Sequence, residues 1–295
     1  WSILVQDSRL SPDKRSLSRR PDSRPPDDVS TCGEEEGVLV ARIQLTRTCI
    51  LSVLLVFSLL PSVFAQLSSD NIVSLQQQAV DEGWTFIVND NPATEYSLEE
   101  LCGMKKPEGW VPPRPVPDAA GAETMDLPEA FDWRDSVDLP PVRNQGGCGS
   151  CWAFATTGVL ECAIAIKDDL DIDLSEQWLV SCNRNGWTCD GGWWAYNYFR
   201  YTTDACGDTG PVYEVDFPYA AQQLPCGCPY EHQEQFNISY YSAVRNEPDD
   251  LKAAILEYGP IGVTVFVNSA FQAYGGGVFN GCQYGEINHA VVIVG

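Results

Sequence analysis

Histidine and methionine are nearly missing from this chain, which holds two of each: His232 and His289, Met104 and Met125. Two imidazoles leave little material for a zinc site outside cysteine. Positive charge is scarce as well. Eighteen Lys and Arg stand against 41 Asp and Glu, for a net charge of −23 and a pI near 4.2. That balance argues against nucleic acid as a partner, because phosphates need a basic face. An acidic chain stays soluble at low pH, as a vacuole, a lysosome or an acidic exterior would require. No internal repeat is present, so a solenoid is not expected.

Cysteine, by contrast, is abundant. There are twelve, nine of them between Cys148 and Cys282, a density that suggests an oxidising compartment with structural disulfides. A targeting signal agrees. The run "CILSVLLVFSLLPSVFA" at 49–65 follows Arg42 and Arg47 and ends in a small-residue exit at Ala65. A positive flank, an apolar core and such an exit describe a secretory signal peptide over 46–65. The alternative is a membrane anchor, but the run is short for a span and Pro61 interrupts it. No stable membrane anchor is expected. Residues 1–45 are polar and begin at Trp1, and read as a non-native or disordered leader.

Residues 66–126 read as a pro-segment and linker. The helix-capable "NIVSLQQQAVDEGWTFIVND" and "SLEELCGM" come first, then the proline-rich "KPEGWVPPRPVPDAAGAETMD", exposed and open to proteolysis. A denser, aromatic body runs over 127–295. Its helix signals come early. Trp152, Ala155, Val159, Cys162 and Ile166 share a helical face between about Ser150 and Lys167. Ser175 is a candidate N-cap for "EQWLVSC", "WWAYNYFRY" is a third helical candidate, and "EPDDLKAAILEYG" a fourth with Gly259 as its stop. Strand signals come late, in "IGVTVFV" at 261–267 and "HAVVIVG" at 289–295. Helices first and strands after predict an α+β protein with two lobes.

The stretch "NQGGCGSCWAF" at 144–154 carries the chemistry. Its C-x-x-C could be half a zinc site, a redox dithiol, or a disulfide cysteine beside a free nucleophile. Zinc needs a second ligand pair, and the other close pair, Cys226 and Cys228, is one residue apart. A redox motif would follow a strand in a βαβ unit, and none is visible. The third reading leaves Cys151 as nucleophile and asks for a base and an oxyanion stabiliser. Here "QGGCGSCWAF", "SEQWLVSC", "CDGGWW" and "NHAVVIVG", in that order, resemble a papain-family cysteine protease. The histidine of that signature falls roughly 130–150 residues downstream, and His289 follows Cys151 by 138.

The resemblance implies a papain-like two-lobed fold, a helical lobe and a barrel-like lobe with a cleft between. It also implies a set of roles. Cys151 at a helix N-terminus becomes the thiolate, stabilised by the macrodipole and by a facing His289 imidazolium. His289 then protonates the leaving amine. The Cys151 amide and the Gln145 side chain hold the oxyanion. Gly149, Ser150, Gly191 and Gly192 approach the substrate backbone, Trp193 and Trp194 line pockets, Thr264, Ile287 and Ala290 form the primary specificity pocket, and Asn288 presents backbone. For each aromatic, plain core packing is the competing reading. His232, in the polar "PYEHQEQ", is expected to face solvent. By resemblance Cys148 pairs with Cys189, and Cys182 with Cys226 or Cys228. Cys162 and Cys206 are unassigned. Asn237-Ile238-Ser239 is a glycosylation sequon. No metal and no cofactor is called for.

Two departures qualify the resemblance. The chain stops at Gly295, six residues after His289, while the family's ring-orienting asparagine lies further on. The peptidase domain over 127–295 is therefore expected to be truncated, its second lobe incomplete and Cys282 without its usual partner. The pro-segment with "SLEELCGM" is of the short cathepsin B type, yet the body lacks the His-His insertion that makes cathepsin B a carboxydipeptidase. The expectation is a secreted or lysosomal endopeptidase zymogen acting on proteins or peptides and inhibited by its own pro-segment. The alternatives are a non-catalytic peptide-binding homologue and a cathepsin B-like exopeptidase.

Overall fold

Strand β1 (Ser2–Asp7) lies inside a four-stranded antiparallel sheet, between β3 (Ile238–Val244) and β4 (Ile261–Val265), with β6 (His289–Ile293) beyond β4. Sequence reading had put this segment in a leader outside the fold. The structure, a computed structural model, describes residues 2–7, 66–113, 127–281 and 284–295. The rest of the leader, the signal peptide at 46–65, most of the linker and Cys282 lie outside the described residues. No helix among the described residues is long and apolar enough to cross a membrane.

The segment from residue 66 to 113 holds helix α1 (Ser69–Glu82), strand β2 (Phe86–Val88) and the single turn α2 (Leu98–Leu101). Ser68 caps α1 by accepting from the Asn71 amide, and Gly83 ends it at φ 68°, where a side chain would be strained. β2 pairs antiparallel with β5 (Tyr274–Gly277) of the body, through Phe86↔Gly277. A small core seals the joint: Ile72, Phe86 and Val88 pack with Ala270 and Ala273. Gln272 Nε2 donates to the carbonyls of Ala93 and Tyr96, both at 2.8 Å.

In the body, α3 (Cys151–Asp168) is the central helix. Twelve of its residues are buried, more than one stripe, because tryptophans, α4 and β6 pack round it. Its last turn carries Lys167, and the helix ends at Asp169 in the left-handed region. α4 (Glu176–Cys182) starts where Ser175 accepts from the Trp178 amide at 2.9 Å, the predicted cap. α5 (Pro248–Tyr258) has Pro at its first position, two aspartates in its first turn and Gly259 after its end. The short α6 (Ser269–Gln272) precedes β5.

One predicted helix is corrected. "WWAYNYFRY" forms only a 3-10 turn, Tyr196–Phe199. Trp193, Trp194, Tyr196, Tyr198 and Phe199 are all buried, and burying consecutive large rings on every side outweighs a one-faced helical period. Sequence reading missed β3 and β5, whose "ISYYSAV" and "YGGG" carry no clean alternation. The helical lobe holds the main core around Trp152, Trp178 and Tyr196. The sheet lobe has a second core, in which Ile261 and Val263 meet Ala254 and Ile255 of α5.

Candidate active site

Cys151 is the first residue of α3 and 1% exposed. The loop before it is tied at several points. Cys148 bonds to Cys189, and the Gly149 amide donates to the Cys189 carbonyl at 2.8 Å. Gln145 Nε2 donates to the Cys148 carbonyl at 2.8 Å. Ser150, fully buried, stands at the N-cap position but makes no side-chain cap; its hydroxyl lies 2.5 Å from the Tyr219 hydroxyl.

His289 opens β6, opposite Val265 in β4, and Ala290 pairs with Thr264. The Ala290 amide reaches the Cys151 sulfur, so the start of β6 meets the start of α3. His289 Nδ1 is buried and has no hydrogen-bond partner among the described residues. Asn288 uses its side chain to lock the strand's lead-in, accepting from the Val267 amide at 2.8 Å and donating to the Val267 carbonyl at 2.9 Å. Its backbone carbonyl accepts from the Met104 amide at 2.9 Å, while its own N–H donates to the Val265 carbonyl at 3.1 Å.

An upstream segment of the same chain fills the cleft. Leu101, Cys102 and Gly103 pass directly over the site. The Leu101 carbonyl accepts from Gln145 Nε2 at 2.8 Å and approaches the His289 ring. The Gly103 amide reaches the Cys151 sulfur. Gly103 lies so close to Gly149 that an added Cβ would sit 1.7 Å from the Gly149 carbonyl oxygen, so only glycine passes there. Beyond it the Met104 amide donates to the Asn288 carbonyl at 2.9 Å. The Gly192 amide donates to Gly103 at 2.8 Å and the Lys105 amide to Gly192 at 2.9 Å. This makes a parallel bridge with Met104 opposite Gly192. Gly191, at φ 131°, holds a conformation that other residues rarely adopt.

Burial governs the site's protonation. The Cys151 thiol is pushed up to about 11 by desolvation, although nearby amides from Ala290 and Gly103 work the other way. Cys102 is pushed up to about 12 by burial and then by the charge of Cys151. His289 is lowered by burial, with the Leu101 carbonyl opposing. Under the segment Leu101–Gly103 the neutral thiol and neutral imidazole are therefore favoured, unlike the ion pair expected of an open site. A cavity of about 780 Å³ adjoins His289, lined also by Arg143, Glu161, Cys162, Glu176 and Phe271.

The remaining predicted residues divide. Trp193 meets Trp110 edge-on at 5.1 Å, and Met104 shares their buried cluster. Trp194 stacks on Tyr196 at 5.7 Å, inside the core. Thr264 is half-buried, Ala290 5% exposed and Ile287 38% exposed. Cys182 bonds to Cys226, which decides the open choice, and Cys206 to Cys228. The sulfurs of Cys182, Cys206 and Cys226 lie within 4.8 Å of one another because these two disulfides are adjacent. Cys162 is a free, buried thiol. Asn237 is half-buried at the start of β3, its Oδ1 near Gly210.

His232 is corrected: it does not face solvent. Its side chain is 7% exposed, with Nδ1 donating to the Gly210 carbonyl at 2.8 Å and Nε2 3.6 Å from Asp204. Asp204 also accepts from Trp178 Nε1 at 2.8 Å, so this histidine belongs to a structural network. Sequence reading also missed Tyr219 and a buried acidic cluster. Glu161 and Glu176 are 1% and 2% exposed, with Arg143 3.6 Å from Glu161 and 2.9 Å from Asp173. Only Glu176 falls in a quoted motif, "SEQWLVSC"; the fold brings Tyr219, Arg143 and Glu161 to it.

Known proteins place this arrangement. The family model described as "Papain family cysteine protease" matches residues 127–295. A cathepsin L-like proteinase of Phaedon cochleariae is 35% identical over 188 residues, covering 61% of this chain and 56% of that protein. A probable cysteine protease of Arabidopsis thaliana is 30% identical over 297 residues, covering 90% of this chain and 79% of that one. The chain spans about half the length of most curated relatives it matches. Among solved structures, digestive procathepsin L2 from Tenebrio molitor larval midgut superposes with a TM-score of 0.59 at 26% identity, covering 76% of this chain and 75% of that chain. With its cysteine at a helix start, its histidine at a facing strand start and a family match over more than half its length, this chain belongs to the papain family of cysteine proteases.

Proposed function

We propose that this chain is the precursor of a cysteine-type endopeptidase. The observation that carries the reading is the Leu101 carbonyl: a peptide oxygen rests on Gln145 Nε2 at 2.8 Å, between the start of α3 and the His289 ring. A substrate carbonyl held at that place would be attacked by the Cys151 thiolate, and its oxyanion held by the Gln145 amide and the Cys151 N–H. His289 would give its proton to the leaving amine, and water would then release the acyl group from the thioester. Gln145→Ala would cost about 10²–10³ in kcat if its amide is the oxyanion donor.

In this reading residues 66–126 inhibit until the linker is cut. Removing the strand over the cleft returns water to Cys151 and His289, which favours the charged pair that burial now disfavours. Gly192 and Asn288 then offer the substrate the backbone groups that Gly103, Met104 and Lys105 use now. With histidine only at 232 and 289, the body has no His-His pair to block one end of the cleft, which supports internal cleavage. A secreted or lysosomal location and a glycan on Asn237 complete the proposal. Cys151→Ala should abolish peptide hydrolysis and labelling by a thiol-directed epoxide in the full-length, processed protein. Hydrolysis that survives the substitution would sink the assignment and favour a peptide-binding role.

A further inference from the structure

We propose that Tyr219 is a positioning residue for the oxyanion site, acting through one hydroxyl that ties Gln145 to the start of α3; this rests on the endopeptidase reading. The Tyr219 hydroxyl donates to the Gln145 carbonyl at 2.8 Å and lies 2.5 Å from Ser150 Oγ. A carbonyl only accepts, so the tyrosine proton goes to Gln145 and Ser150 donates to Tyr219. The alternative acceptor for Ser150 Oγ, the Cys148 carbonyl, is 3.3 Å away and the weaker partner. Ser150 immediately precedes Cys151, whose N–H is one oxyanion donor, and Gln145 supplies the other. Tyr219 thus grips both ends of the six-residue loop that sets the spacing between the two donors.

Tyr219 is itself held. Its amide donates to Glu214 Oε1 at 2.7 Å, and its ring meets Phe154 of α3 edge-on at 4.8 Å. Burial pushes its hydroxyl up to about 12, so the proton stays in place at any working pH. The disulfide at Cys148 and the Gln145 amide's own bond to Cys148 fix the middle of the loop. Among the described contacts the Tyr219 hydroxyl is what joins its two ends from outside. A misplacement of one oxyanion donor relative to the other lowers kcat without loosening substrate, because those bonds strengthen only in the transition state.

The test uses full-length, processed enzyme. Tyr219→Phe keeps the ring and removes the bridge, so kcat should fall about tenfold with KM within about twofold. In a Gln145→Ala background the same substitution should change kcat less than about twofold, because the donor it positions is gone. Ser150→Ala cuts the bridge at its other end and should give the same loss, not added to that of Tyr219→Phe. An active wild type with unchanged kcat in Tyr219→Phe overturns this proposal alone, as does an equal loss with and without Gln145. A processed wild type that hydrolyses no peptide overturns the endopeptidase reading and this proposal together.

Discussion

Cys151 and His289 meet from two regions held by different means. On the cysteine side a disulfide, the Gln145 amide and the Tyr219 bridge fasten one loop within a few residues of Cys151. On the histidine side the imidazole rides on a strand, positioned by the β4–β6 ladder and by the Asn288 side chain's two bonds to Val267. Covalent and side-chain ties serve a loop, which has no ladder of its own. A strand takes its geometry from neighbours and needs fewer private contacts. The cysteine side should therefore suffer most from single local substitutions, and the histidine side from losses spread along the sheet.

The sharpest way to break this contrast is to remove the Cys148–Cys189 bond with paired serines. The bond closes a separation of 41 residues, worth about 4 kcal/mol in the chain-entropy account. The thermal midpoint should drop by roughly 10 °C, measured by calorimetry on the uncleaved protein. A fall of less than a few degrees would mean that the hydrogen bonds alone hold the loop. Next comes Asn288→Ala, which strips partners from the Val267 N–H and carbonyl and should cost about 1–3 kcal/mol in denaturant unfolding. A cost near that of the disulfide would erase the distinction between the two sides.

The smallest effect concerns the acidic cluster behind the site. Burial pushes the Glu161 carboxyl up to about 7, with Arg143 opposing, and Glu176 is raised too, by burial and then by Glu161. Between the ordinary glutamate range and pH 7 the folded chain keeps a proton that the unfolded chain releases, so stability falls as pH rises through that window. Glu161→Gln should flatten the slope of thermal midpoint against pH between about 4.5 and 7 while keeping the bond from the Leu174 amide, now 2.8 Å. An unchanged slope would place the titration elsewhere.

Much of the site was legible beforehand because its chemistry is local. A cysteine that starts a helix, a glycine pair and a histidine opening an apolar strand each leave a mark within ten residues. The helix over 151–168 and the cap at Ser175 were readable for the same reason. The 3-10 turn at Tyr196 was not, because burial on all sides leaves no period to detect. His232 misled because a polar stretch does not reveal a buried carboxylate brought from Asp204.

The sequence alone, then, marked Cys151, His289 and Gln145 as candidates, through a resemblance carried by short motifs, and predicted the α3 helix that begins at Cys151 from apolar residues at helical spacing. Tertiary structure alone decided the partner of Cys182, the bridge from Tyr219 and the path of Leu101 to Lys105 across the cleft. Those contacts join residues tens to nearly two hundred positions apart, and contact at such separations is set by packing, which no local pattern encodes.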